Sequence, residues 1–134
     1  MGKFVFKCDN ESHARFIQVK VEQHDGKVRD DEIARVIYHY VCGGDEKYDV
    51  VYVNFSGSRV GIVFVDGKPL YNVTITKGVA IVYVDGLGHY TARVRILRVP
   101  WDDPRLVMAR AVVDKVLSEA GKYVANAIRG SGVK

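Results

Sequence analysis

The sequence predicts an α+β fold: an antiparallel β-meander sheet with one packed helix and a long C-terminal helix. Three observations carry this expectation. Between Tyr48 and Val99, short β-prone runs alternate with Ser56-Gly57, Asp66-Gly67, Lys77-Gly78 and Asp85-Gly86, turn signals about ten residues apart. Upstream, Ile33, Val36, Ile37 and Tyr40 recur at helical spacing. Downstream of Pro100-Trp101-Asp102-Asp103-Pro104, apolar residues recur every three to four positions as far as Ile128.

The first third reads as a strand from Lys3 to Cys8, a polar turn through Asp9-Asn10-Glu11-Ser12 and a second strand from Arg15 to Val21. Ile17, Val19 and Val21 alternate with Gln18, Lys20 and Glu22, the period of a half-buried strand. Asp30 or Asp31 offers a helix N-cap, and Gly43-Gly44 supplies a stop that needs no Cβ.

The meander then takes five strands. "IVFVDGKPLYNVTI" from Ile62 aligns without a gap with "IVYVDGLGHYTARV" from Ile81. Their shared Asp-Gly pairs suit two-residue hairpins, since both central residues of that turn need positive φ. The aspartates are therefore turn residues and not a catalytic pair. One common register places Val60, Ile62, Phe64, Tyr71, Val73, Ile75, Val79, Ile81, Tyr83, Tyr90, Val94 and Ile96 on a core face. The opposite face then carries Arg59, Gly61, Val63, Asn72, Val82, His89, Arg93 and Arg95, with no carboxylate.

Pro104 suits the first position of a helix, where a missing N–H is harmless, and that helix would run to Ile128, about 37 Å at 1.5 Å per residue. Leu106, Val113, Val116, Ala120 and Tyr123 lie on its apolar stripe, which is wide enough to pack on the protein's own sheet or on a second copy. The chain divides on this reading into an α+β domain, 1–100, and a dimerising C-terminal helix, 101–134.

At 134 residues, with 48% hydrophobic and 27% charged residues, the chain has room for one domain and its own core. No segment approaches the roughly 18 consecutive apolar residues of a membrane span, and the start lacks a secretory pattern, so a cytoplasmic protein is expected. Heavy use of valine beside scarce Gln and Asn suits strands and a heat-adapted source. The formal net charge of +4 permits an anionic partner.

Little else in the sequence points to an enzyme. Cys8 and Cys42 lie far apart in no C-x-x-C arrangement, which favours buried inert thiols over a zinc site or a disulfide framework. His13, His24, His39 and His89 are scattered without metal-ligand spacing. Ser56 and Ser58 sit in a hairpin loop, not on a nucleophile elbow, and the glycines mark turns instead of a phosphate loop. No catalytic residue, metal or cofactor is expected.

What remains is a surface. Tyr48 and Tyr52, set beside Arg59, Asn72, Arg93 and Arg95, would make a basic sheet surface with exposed rings, the usual means of holding single-stranded nucleic acid. A structural reading of Tyr52 stands beside this one, because a two-residue loop puts it opposite Gly61, where an aromatic ring covers a strand glycine.

A β-sheet domain with one early helix, a break at Pro100 to Pro104 and a heptad-patterned C-terminal helix look like the ThermoDBP family, the archaeal non-OB-fold single-stranded-DNA-binding proteins. The resemblance covers most of the chain and rests on architecture. It implies sequence-independent binding of single-stranded DNA by aromatic and basic residues, in homodimers joined through the last helix. Two other expectations stand beside it: an RNA-binding protein, and a non-catalytic protein that self-associates or docks a partner through its C-terminal helix.

Overall fold

A computed structural model describes residues 2–24, 27–86 and 88–103. The elements run β1 (Lys3–Asp9), β2 (His13–His24), α1 (Asp30–Cys42), β3 (Tyr48–Phe55), β4 (Ser58–Val65), β5 (Lys68–Thr76), β6 (Val79–Val84) and β7 (Gly88–Pro100). The strands are antiparallel and hydrogen-bond in the order β1-β2-β7-β6-β5-β4-β3.

This corrects the expected fold class. The described residues are mostly sheet, with seven strands and a single helix of 13 residues, instead of a five-stranded meander ending in a long helix. The two strands beyond those five are β1 and β2, each expected on its own from the sequence, and β2 neighbours β7 in the strand order, so one sheet has seven strands. The expected C-terminal helix, with Leu106, Val113, Val116, Ala120 and Tyr123, lies outside the described residues.

The contacts divide the chain into two units. One holds Val19–Val94: the second half of β2, α1, β3 to β6 and the first half of β7. Its turns follow the expected chemistry. Ser56-Gly57, Asp66-Gly67 and Lys77-Gly78 all have both central residues at positive φ, the type I′ geometry that matches strand twist.

The face assignment of β4 and β6 is corrected. Phe64 pairs with Pro69, but Val63 pairs with Tyr71, so Leu70 bulges out of the ladder and the faces exchange beyond it. The β6–β7 loop has three residues, with Val84 opposite Gly88 and Val82 opposite Tyr90. The two hairpins therefore differ in register. The buried face is built from Gly61, Val63, Tyr71, Val73, Ala80, Val82, Tyr90 and Ala92, while Ile62, Phe64, Ile81 and Tyr83 lie on the other face.

Helix α1 covers the buried face. Its N-cap is Arg29, not Asp30 or Asp31; those two and Glu32 occupy the first turn, where carboxylates complement the helix dipole. Ile33, Ala34, Val36 and Ile37 are buried, and Gly43 closes the helix at φ 103° with its N–H on the carbonyl of His39. Tyr90, wholly buried, accepts the Val28 N–H at 2.8 Å and ties the helix approach to β7.

The second unit holds Lys3–Gln18 and the chain from Arg95. Ala14, Phe16 and Val99 form a small buried cluster there. Trp101 is fixed at the β1–β2 turn: its backbone N–H donates to Ser12 O and its indole Nε1–H to Asn10 O at 2.8 Å. The Asn10 Oδ1 in turn accepts the Ser12 and His13 N–H groups.

Neither cysteine is free. Cys8 and Cys42 are both disulfide-bonded, which corrects the expectation of inert thiols. Two cysteines at unremarkable spacing carry no sequence signal for a bond that depends on tertiary approach.

Candidate nucleic-acid interface

The residues expected to form one site divide between the two faces of the sheet. Tyr48, Tyr52 and Arg59 lie on the face that α1 covers, whereas Asn72 and Arg93 lie on the open one. Arg95 is exposed on the part of β7 that belongs to the second unit.

On the covered face the tyrosines serve α1. The Tyr48 and Tyr71 hydroxyls donate to the two carboxyl oxygens of Glu32, at 2.7 and 3.2 Å. Burial raises both phenols well above the ordinary tyrosine value, and the hydrogen bonds and charge of Glu32 raise them further. They stay protonated donors, unsuited to act as bases. His39 is buried, stacks on the Tyr48 ring at 4.7 Å and lies 3.0 Å from the Gly43 carbonyl through Nδ1. The Asp45 carboxyl is held below its usual range chiefly by the Tyr48 N–H, a structural turn bond.

Tyr52 stands opposite Gly61, and its hydroxyl donates to the Tyr40 carbonyl. The Arg59 guanidinium sits 3.9 Å from the centre of the Tyr52 ring, a cation–π contact that occupies the flat surface a base would need. Burial raises the Tyr52 and Tyr40 phenols, with Arg59 opposing.

No known protein family, characterised protein or solved structure matches the chain.

The chemistry therefore has to be read from the open face. Tyr83 is 53% exposed there, flanked in register by Asn72 on β5 and His89 on β7. The Tyr83 and His89 rings are 5.6 Å apart at 38°. Thr91 and Arg93 continue the same face of β7, and the Arg93 Nε–H donates to Glu22 on β2 at 3.1 Å. At the other end of the sheet, Val51, Val53 and Phe55 of β3 are 44%, 41% and 70% exposed. Among the described residues of this unit, Glu22, paired with Arg93, and Asp49 at the start of β3 are carboxylates on this face.

Tyr83 and Phe55 escaped the sequence reading, which placed Tyr83 in the core; His89 was placed on the face opposite the core but given no part in the site. The signal for Tyr83 lies in Lys77-Gly78, whose two-residue turn sets Thr76 opposite Val79 and Asn72 opposite Tyr83, on one face; Pro69 carries a second signal, for the faces of β4. A proline within a central strand cannot donate to the ladder and marks a bulge, and a bulge exchanges the faces. Among the described residues, no helix is long and apolar enough to cross a membrane.

Proposed function

We propose that the protein binds single-stranded DNA, independently of sequence and without catalysing a reaction, on the open face of the sheet in its Val19–Val94 unit. The observation that carries this reading is the exposed Tyr83 ring, bracketed by the His89 ring and the Asn72 amide on neighbouring strands. Flat rings exposed on a sheet face stack on any base, because every base has a π-face. Asn72 adds donors and an acceptor, and Arg93 adds a cation for the backbone. The phenols tied to Glu32 fit a scaffold role and offer no nucleophile.

The test is a titration of fluorescently labelled oligonucleotides at several salt concentrations, with a DNA arm, an RNA arm and a duplex arm. Binding of single strands that weakens as salt rises is expected. Tyr83→Ala should weaken it roughly 5- to 150-fold, the loss of one stacked base at about 1–3 kcal/mol, with the fold intact. Absence of binding at low salt overturns the reading. Preference for RNA would move the partner while keeping the surface.

A further inference from the structure

Strand β3 ends the strand order, so one of its edges lacks a strand neighbour among the described residues. The two-residue turn at Ser56-Gly57 makes Phe55 and Ser58 a hydrogen-bonded pair, and the same alternation directs the backbone groups of Val53, Val51 and Asp49 toward β4. The N–H and C=O groups of Tyr48, Val50, Tyr52 and Asn54 therefore point outward. Tyr48 confirms the phase: its N–H donates to Asp45 Oδ1 and its carbonyl accepts the Asp45 N–H at 2.6 Å, both away from β4. Val50, Tyr52 and Asn54 are left presenting a strand-shaped row of donors and acceptors.

The edge is also undefended. Natural sheets blunt edges with lysine, proline or a bulge. The strand at the other end of the order, β1, carries Lys3 and Lys7, whereas β3 has none of these devices and a single charge, Asp49. Its side chains Val51, Val53 and Phe55 are exposed.

We propose that β3 pairs with β3 of a second copy, antiparallel about a two-fold axis at Tyr52. In that register Val51 faces Val53 of the other copy, apolar against apolar, and Val50 faces Asn54. Symmetry makes each of these contacts twice. The pairing joins two sheets edge to edge and does not depend on what the open face binds.

Two measurements on the full chain, both without nucleic acid, test it. Sedimentation velocity from micromolar to millimolar protein should show a monomer–dimer equilibrium. Amide exchange should slow with concentration at Val50, Tyr52 and Asn54 but not at Val51 and Val53. For the variants, Val51→Lys with Val53→Lys places like charges directly opposite and should weaken the dimer about tenfold or more. Val51→Glu with Val53→Glu should do the same, and mixing the two proteins should restore association. A wild-type monomer at every concentration overturns the proposal. So does a dimer whose Tyr52 amide exchanges as in the monomer, or a mixture that associates no better than either variant alone.

Discussion

The ring of Tyr40 lies directly against the Cα of Gly61, where a Cβ would collide with Cδ1 of the tyrosine. The ring cannot easily yield, because its hydroxyl donates to the Arg59 carbonyl at 2.8 Å and its edge meets Tyr52 at 5.5 Å. Gly61 is thus required by close approach and not by its backbone angle. Gly61→Ala should destabilise the fold by about 1–3 kcal/mol, the usual range for overpacking. Urea denaturation checks the loss, and a cycle with Tyr40→Leu should recover part of it, since the smaller side chain leaves the new methyl room.

The convergence of Tyr48 and Tyr71 on Glu32 sets the response to alkali. Both phenols titrate higher when folded than their ordinary value of 10.0, so the native state holds protons that the unfolded chain releases. Their contribution is fully present below pH 10 and fades as pH rises beyond it. A plot of unfolding free energy against pH should fall above pH 10, and the double variant Tyr48→Phe, Tyr71→Phe should flatten that slope. At neutral pH each single variant should lose about 1–3 kcal/mol, the range for a hydrogen bond to a charged group.

These two relationships show how far local sequence reaches. The type I′ turns were legible, because Asp66-Gly67 and its fellows have the residues that positive φ demands. So was α1, through the spacing of Ile33, Val36 and Ile37 and the stop at Gly43. The pairing of Tyr52 with Gly61 followed from loop length alone. Register beyond the turns did not follow: the bulged Leu70 exchanges the faces of β4 from Val63 back to Gly61 relative to β5, and the two-residue Lys77-Gly78 turn sets Ile75 opposite Ala80, so Val79, Ile81 and Tyr83 leave the core face. The second hairpin gained a third loop residue between Val84 and Gly88, although its sequence aligns with the first. The union of β2 with β7 joins segments about 75 residues apart, and no periodicity encodes such a pairing. Of the residues expected on one surface, Asn72 and Arg93 lie on the face opposite the core, where the alternation puts them, while Tyr48, Tyr52 and Arg59 lie on the side of the helix and Tyr83, expected in the core, is exposed.

The disulfide carries its own consequence. With both Cys8 and Cys42 oxidised, the native protein should show no titratable thiol even when unfolded without reductant. Reduction should lower stability by about 2–4 kcal/mol, the typical worth of such a bond. Thermal unfolding with and without a strong reductant measures this. An unchanged melting temperature after confirmed reduction would show that the crosslink adds nothing to the fold.

Glu22 and Arg93 provide the sharpest test of the open face. The Arg93 side chain is 68% exposed, and its pairing with Glu22 at 3.1 Å competes with any phosphate it could meet. An exposed ion pair is worth at most about 1 kcal/mol, so nucleic acid can displace the carboxylate. Arg93→Ala should therefore weaken single-strand binding and reduce the slope of log affinity against log salt by about 0.7, one phosphate contact for a single strand. Glu22→Gln should act in the opposite direction, releasing the guanidinium and removing a repelling charge, so that affinity rises while the slope is kept. Labelled-oligonucleotide titrations over a salt series resolve both effects. If the two variants weaken binding alike, Arg93 is held by Glu22 in the complex as well, and the phosphate contact belongs to another cation on that face, with Lys20 on β2 the next in line.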